Sequence, residues 1–140
     1  MLRNKNRAAQ LLNFDGLEFE NKQASDIDYI MDWNGKMFIF AEVKHVKSEM
    51  TTGQCILFEN LCDTIADAGK PAIGIVCRHM THEHEEVDLK NCVVDSFYYR
   101  GQWHDVWERR TRFGAFVTAL VNMFRRNNFE NVGGIMGELK

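Results

Sequence analysis

The chain has 140 residues, of which 45% are apolar, and it contains one proline. This size and composition suit a single domain over residues 1–140 with its own hydrophobic core, and they exclude a mostly disordered chain. No apolar run approaches the roughly 20 residues that cross a bilayer, which excludes a membrane-spanning helix, and the first residues show no secretory signal. We therefore expect a cytoplasmic protein.

The charges are unevenly distributed, although the net charge is only −3. A polar surface with one basic side can bind a polyanion, and an ordinary solvated surface fits the same pattern. The basic residues gather at the N-terminus and in the last third of the chain: Arg3, Lys5, Arg7, Arg100, Arg109, Arg110, Arg112, Arg125 and Arg126.

The cysteines and histidines do not form a recognisable metal motif. The four cysteines lack CxxC spacing, and we expect them to be reduced and buried. One histidine-rich segment invites a zinc interpretation, but its spacing fits no four-ligand pattern, and the neighbouring glutamates favour a solvated loop. The residues concerned are Cys77, His79, His82 and His84.

The first half of the chain is predicted to hold a helix and a β-hairpin. Residues 4–13 have helical spacing, and Asp15-Gly16 ends that helix. Two apolar runs follow, Asp28 to Trp33 and Met37 to Lys44, and the Asn34-Gly35 pair between them is a strong hairpin signal. Both runs are apolar at nearly every position, so we expect a sheet covered on both faces.

The middle of the chain alternates helix and strand. Helical spacing from about residue 51 ends at Gly69, and Ala72 to Cys77 then reads as a short strand. Residues 78–91 are polar and are predicted to form a loop. Residues 92–99 read as a further strand that Gly101 ends.

The last third is predicted to hold one helix and a tail. A strong apolar stripe places the helix at about residues 108–127. The glycine-containing tail of about 129–140 is expected to be loosely held. The predicted order is therefore α-β-β-α-β-β-α, which indicates an α/β fold.

Acidic residues on the two hairpin strands point to a reaction. Glu42 and Lys44 are two residues apart on a strand and so share one face. A buried carboxylate beside an ammonium is costly unless it is solvated or bound to a metal. Asp28 completes the group, and a divalent cation such as Mg²⁺ relieves the repulsion between two close carboxylates. Alternatively, Asp28 ends a strand and the other two residues form a partly exposed ion pair.

The length of the hairpin loop decides whether these carboxylates meet. A two-residue loop points Asp28 to the face opposite Glu42. A three-residue loop over residues 34–36 sets Asp28 across from Glu42, whereas one over residues 33–35 sets Asp26 there. We therefore predict a loop of odd length or a bulge.

Residues 26–62 resemble the core of the PD-(D/E)xK nuclease superfamily, which includes restriction endonucleases, Holliday-junction resolvases and recombination exonucleases. The likeness is carried by Asp26-Ile27-Asp28, by Phe38-Ile39-Phe40-Ala41-Glu42-Val43-Lys44 and by Gln54. The size resembles that of small nucleases encoded by phages or mobile elements. The resemblance implies a restriction-endonuclease-like core, in which helices flank a central mixed β-sheet.

The resemblance also implies a role for each matching residue. Asp28 and Glu42 would bind Mg²⁺, for which Mn²⁺ substitutes, with the backbone carbonyl of Val43. Lys44 would hold and polarise the attacking water. Gln54 would support the site, although a solvated polar residue in a first helical turn explains it equally well.

The chain departs from the family pattern in two places. Ile27 stands where the family name has proline, at a position that varies among relatives. The predicted first helix contains no acid, although many relatives supply one from that helix. The nearest candidates for a third acidic ligand are Asp15, Glu18, Glu20 and Asp26.

These features lead us to predict a magnesium-dependent DNA endonuclease of phage recombination or DNA processing, acting as a homodimer in the cytoplasm of the cell. Lys47, Arg109 and Arg112 are the predicted DNA contacts. A structure-specific resolvase or an exonuclease of the same fold is one alternative, and a non-catalytic nucleic-acid-binding or protein-interaction module is another. Four aromatic residues either stack on bases or pack a sheet edge or a dimer contact: Tyr98, Tyr99, Trp103 and Trp107.

Overall fold

The computed structural model describes residues 12–22 and 24–139, which form an α/β fold around a five-stranded mixed β-sheet. This confirms the predicted α/β class and the mixed sheet. The predicted helix over residues 4–13 falls mostly outside the described residues. The strands lie side by side in chain order: β1 (Tyr29–Asp32), β2 (Phe38–His45), β3 (Ala72–His79), β4 (Val93–Tyr99) and β5 (Gln102–Asp105).

The direction of the strands follows from the connections. The β2–β3 pair is parallel because a helix crosses between the two strands, and the other neighbouring pairs are antiparallel. The crossover helix α1 spans Thr52–Asp67, α2 spans Phe113–Arg126, and a short α3 spans Ile135–Glu138. None of the described helices has the length and apolar character that crossing a membrane requires.

The two long helices pack on opposite faces of the sheet. Ile39 and Ala41 of β2 belong to the core beneath α2, whereas Phe40 faces α1 together with Phe58 of that helix. On β3, Gly74 lies directly under Phe58, since a Cβ at this position would stand 2.8 Å from Phe58 Cδ2. Helix α1 therefore approaches the sheet most closely at a residue that lacks a side chain.

The hairpin between β1 and β2 has a three-residue loop, the length that brings Asp28 opposite Glu42. Asp32 pairs with Phe38, and the amide of Trp33 donates to the Met37 carbonyl at 2.9 Å. Asn34 and Gly35 adopt left-handed backbone angles, with φ of 53° and 71°. The prediction of an odd loop length is confirmed.

The strands are covered less evenly than predicted. β2 is buried on both faces at its central residues 39–42 and half-buried elsewhere. β1 is an edge strand whose residues alternate in exposure, and its Ile30 is 58% exposed. The expectation that both hairpin strands are covered on both faces is therefore correct for β2 and wrong for β1, because no described helix reaches the outer strand on the Ile30 side.

The end of the strand over residues 92–99 is predicted correctly, but the strand after it is not, and one helix boundary is wrong. β4 stops at Tyr99, and Arg100 and Gly101 form a tight turn into the unpredicted β5. The last helix begins at Phe113 and not near residue 108, because residues 107–109 form a 3₁₀ turn that Arg110 ends in a left-handed conformation.

Two segments expected to be irregular or loose are more ordered. β3 continues to His79, and a 3₁₀ turn occupies Leu89–Asn91, so residues 78–91 are not one long loop. The tail is packed on the core, since Ile135 is 3% exposed and the Val132 amide donates to Tyr99 Oη at 2.6 Å. All four cysteines are free, as expected, and Cys55 is the one that is only half-buried.

Candidate active site

Four of the predicted site residues meet at the carboxyl end of β2. The β1–β2 register pairs Tyr29 with Ala41, and its next step sets Asp28 across from Glu42. Lys44 lies two residues further along β2 on the same face. Gln54 stands in the first turn of α1, which begins beside this end of the sheet.

Glu42 is at the centre of the group. It is the one charged residue classed as buried in the described ranges, with 6% of its surface exposed. Its Oε1 accepts a hydrogen bond from Gln54 Nε2 at 3.2 Å and lies 3.8 Å from the ammonium of Lys44. An amide and a cation therefore hold one oxygen of this buried carboxylate.

Asp28 is held by the backbone of β2. Its Oδ2 accepts a hydrogen bond from the backbone amide of Val43 at 2.8 Å. The β1–β2 pairing ends at Tyr29 and Ala41. Beyond it, the Asp28 carboxylate accepts the hydrogen bond that a main-chain carbonyl of β1 would otherwise accept. Because the N–H and C=O of one strand residue face the same neighbour in an antiparallel pair, the Val43 carbonyl faces this edge as well.

The environment changes the acidity of Glu42. Burial raises the pKa of its carboxyl group to about 7, and the negative charge of Asp28 adds to the rise, while the Lys44 ammonium opposes it. Glu42 therefore retains its proton to a higher pH than a solvated carboxyl group does. A cation placed between Asp28 and Glu42 would offset this effect.

Gln54 has two functions in the structure. Thr51 caps α1, because its Oγ1 accepts a hydrogen bond from the backbone N–H of Gln54 at 3.1 Å. In return, the side-chain Oε1 of Gln54 accepts from the backbone N–H of Thr51 at 3.1 Å. The other end of the same side-chain amide donates to Glu42. The capping box therefore fixes the rotamer of the group that orients the buried carboxylate.

The oxygen atoms that could coordinate a metal ion at this point suit a hard cation. Two carboxylates and one backbone carbonyl form an all-oxygen set, of the kind that Mg²⁺ binds while it keeps several waters. Within residues 12–22 and 24–139, no three His, Cys, Asp or Glu side chains gather into a metal-binding group, and this includes the histidine-rich segment considered for zinc.

Of the further acids considered as a third ligand, Asp26 acts on the site. Its negative charge contributes to raising the pKa of Glu42, although it has the smallest effect of the groups involved. Asp15, Glu18 and Glu20 are exposed residues of the segment before residue 23.

Sequence reasoning missed an arginine next to the site. Arg78 of β3 pairs with Lys44 of β2, and its Nε donates to Asp95 Oδ2 at 2.7 Å. Its Nη1 donates to the carbonyls of His45 and Ser48, which ties down the segment after β2. A charged residue inside each of two apolar strands, Arg78 in β3 and Asp95 in β4, can be noticed in the sequence. That the two pair depends on the register shift between these strands, which the sequence does not reveal.

A cleft of about 410 Å³ opens on the α1 side of the sheet and is lined by residues that neighbour the site. Its walls include Val76, which pairs with Glu42, and Cys55, which follows Gln54 in the chain. Arg78 and Trp103 line it further along. The cleft thus borders neighbours of the site residues, whereas Glu42 itself is 6% exposed.

The predicted DNA contacts lie at the same end of the sheet as Glu42. Lys47 is exposed in the turn after β2, and Arg109 is exposed in the 3₁₀ turn before α2. The backbone of Arg112 forms an isolated antiparallel β-bridge with Val93 at the start of β4. By contrast, Arg100, Arg125 and Arg126 lie toward the opposite end, in the β4–β5 turn and the last turn of α2.

The four aromatic residues separate into two groups. Tyr98 and Tyr99 are buried in the core, and Trp103 donates from Nε1 to Glu59 at 2.9 Å, so these three pack the sheet. Trp107 is only half-buried, and the Arg110 guanidinium lies 4.3 Å from its ring centroid.

Comparison with protein-family models, with curated proteins and with solved structures finds no match for this chain. The interpretation of the site therefore depends on its geometry and chemistry.

Proposed function

We propose that this protein is a metal-dependent DNA endonuclease that hydrolyses phosphodiester bonds at the Asp28–Glu42–Lys44 site. The observation that supports this most directly is the meeting of two carboxylates, one ammonium and one amide around a buried Glu42. Because replacing a buried ion pair by well-packed apolar residues is often neutral or stabilising, stability alone gives little reason to keep these groups together.

Each residue has a task in this proposal. Asp28 and Glu42, with the Val43 carbonyl, would hold Mg²⁺. The ion would supply charge neutralisation at the phosphate and lower the pKa of a water molecule. Gln54 keeps the Glu42 carboxylate in one orientation, and Lys44 provides a fixed positive charge toward the phosphate and the attacking water.

The reaction is a hydrolysis. The oxygen of a water molecule bonds to phosphorus while one P–O ester bond breaks on the opposite side. The water loses one proton, and the leaving oxygen gains one. Phosphate contacts from Lys47, Arg109 and Arg112 would hold the DNA and carry little sequence information.

The finer classification also belongs to this proposal. The strand arrangement and the crossover helix support a restriction-endonuclease-like core, and cleavage of both strands by so small a chain favours a homodimer. Phage recombination or DNA processing is the proposed context.

Cleavage of supercoiled plasmid DNA tests the proposal. With Mg²⁺ or Mn²⁺ the protein should nick or linearise the plasmid, and a chelator should abolish this. Glu42→Gln and Lys44→Met should each lower the rate about 100-fold or more, because each removes a group that acts on the reacting phosphate. Linear and branched DNA tested in parallel would separate an exonuclease or a resolvase from an endonuclease.

Lys70→Met is the matched control for the lysine variant. Lys70 is exposed in the turn after α1, at the opposite end of the sheet, so its replacement should leave the rate unchanged. If a folded protein cleaves no DNA with either metal, or if Lys44→Met cleaves at the wild-type rate, the proposal is wrong.

A further inference from the structure

A second, larger cleft lies beside the candidate site, at the same end of the sheet. It encloses about 700 Å³, within the range of about 300–1,000 Å³ typical of small-ligand clefts. We call it the Trp107 cleft. Its lining residues used below are Val46, Arg78, Met80, Glu85, Glu86, Trp107 and Arg110.

The Trp107 cleft is adjacent to the proposed reaction site. Arg78 lines both this cleft and the smaller one on the α1 side of the sheet. Arg78 also pairs across β2–β3 with Lys44, and Val46 follows Lys44 by two residues. Because neighbouring strands are about 4.8 Å apart, the backbone of this cleft-lining arginine lies one strand spacing from that of Lys44.

The walls of the cleft suit a flat, partly apolar ring. Val46 and Met80 supply apolar surface, and the Met80 side chain is 78% exposed. Trp107 supplies an aromatic ring on which the Arg110 guanidinium lies at 4.3 Å. Base stacking on aromatic rings and on arginine is the usual way in which proteins hold unpaired nucleotides.

The charges in the cleft distinguish a base from a phosphate. Glu85 and Glu86 line it and take part in none of the three ion pairs of residues 12–22 and 24–139. Their carboxylates would repel a phosphate but would accept hydrogen bonds from the exocyclic amino group of adenine, cytosine or guanine. Arg110 of the same cleft would face a flanking phosphate, whereas Arg78 is already bound to Asp95 and to the segment after β2.

We propose that the Trp107 cleft binds an unpaired base next to the scissile phosphate, which makes single-stranded or branched DNA the preferred substrate class. This inference rests on the proposed function. A base seated in the cleft has left the stack of a duplex, and this costs least when the nucleotide is already unpaired.

Binding measured in a chelator tests the cleft without requiring cleavage. The probes are three labelled 12-nucleotide DNAs: a mixed-sequence single strand, the same strand with abasic residues, and the corresponding duplex. We expect the single strand to bind about tenfold or more tighter than the abasic strand or the duplex. Trp107→Ala should lower the affinity for the single strand about tenfold and leave abasic binding unchanged.

Trp33→Ala is the matched control. Trp33 is also half-buried beside an arginine, since Arg125 lies 5.3 Å from its ring centroid, but it stands at the opposite end of the sheet. Its replacement should not change binding to any probe. Trp107→Phe keeps an aromatic ring and should retain most of the preference, whereas Trp107→Leu, which lacks one, should lose it and replaces the alanine variant if that variant does not fold.

The outcomes separate the two proposals. Tighter binding of the duplex, equal binding of abasic and normal strands, or wild-type affinity of folded Trp107→Ala would each overturn the cleft assignment. Trp107-dependent binding of the single strand, with no cleavage when Mg²⁺ is added, would support the cleft and contradict the nuclease.

Discussion

At the scale of single residues, Glu42 is the most informative position in the chain. It is 6% exposed, and a buried carboxylate needs compensation. Lys44 and Gln54 give part of it, while Asp28 adds a second negative charge nearby. The protein thus retains a costly arrangement at the point where a cation would be most strongly attracted.

The pH dependence of stability should show this cost. Burial and Asp28 raise the folded-state pKa of Glu42 to about 7, above its ordinary value of 4.5. Between these pH values the folded protein holds a proton that the unfolded chain has released, so the free energy of unfolding should fall as the pH rises through this window. We expect a loss on the order of 1–3 kcal/mol, relative to Glu42→Gln.

Urea unfolding of wild type and Glu42→Gln at a series of pH values, in a chelator, measures this difference. The Gln variant lacks the titrating group and serves as the reference at every pH. A difference between the two proteins that stays constant from pH 4.5 to 7, or that grows in favour of wild type, would contradict the raised pKa.

At the scale of elements, the start of α1 connects helix stability to the site. The Thr51–Gln54 capping box and the Gln54–Glu42 hydrogen bond use the same side-chain amide. Two substitutions can separate these functions, because Thr51 bonds to Gln54 within the cap while Gln54 alone reaches Glu42.

Thr51→Ala removes the hydroxyl that caps the helix, and Gln54→Ala removes the reciprocal hydrogen bond, so both should lower stability, by about 1 kcal/mol. Thr51→Ala keeps the backbone N–H from which Gln54 Oε1 accepts, so Gln54 should stay in place in that variant. Only Gln54→Ala should lower the cleavage rate, by about tenfold, because only it releases the Glu42 carboxylate. Urea unfolding and plasmid cleavage by the two variants measure the two effects. Equal cleavage rates would show that Gln54 serves the helix alone.

Sequence reasoning could predict part of the arrangement because it depends on local geometry. Strand alternation places Glu42 and Lys44 on one face. An odd loop length alone left Asp26 and Asp28 as candidates for the position across from Glu42, and the loop over residues 34–36 selects Asp28. β5 could not be predicted, because Gln102–Asp105 is short and polar and is held mainly by pairing with β4. The early start predicted for α2 failed because nothing in the apolar pattern reveals the left-handed conformation of Arg110.

At the scale of the whole molecule, the fold divides the basic residues into two ends. The chain is acidic overall, so any binding of DNA depends on where its cations lie. Lys47, Arg109 and Arg112 lie at the end that carries Glu42, whereas Arg125 and Arg126 lie at the far end of α2. Arg112 precedes α2, and Arg125 and Arg126 stand in its last turn, so the length of this helix separates the two groups of arginines in space.

Two double variants with the same change in charge test this division. Lys47→Gln with Arg112→Gln should weaken DNA binding and should make the slope of log affinity against log salt shallower. The expected change is about 0.9 for each phosphate that the variant no longer neutralises on duplex DNA, or about 0.7 on a single strand. Arg125→Gln with Arg126→Gln should change neither the affinity nor the slope. Salt titrations of DNA binding by fluorescence anisotropy measure both, and equal weakening by the two variants would contradict a DNA-binding end.

The shortness of β1 has a consequence for how the site comes together. β1 has four residues, lies at the edge and pairs only with β2, so it is among the segments most prone to local opening. Detachment of this strand would carry Asp28 away while Glu42, Lys44 and Gln54 kept their places on the interior elements. The two carboxylates therefore stand together only while β1 is paired with β2. Glu42 lies on an interior strand, whereas the position of Asp28 depends on the docking of the short edge strand.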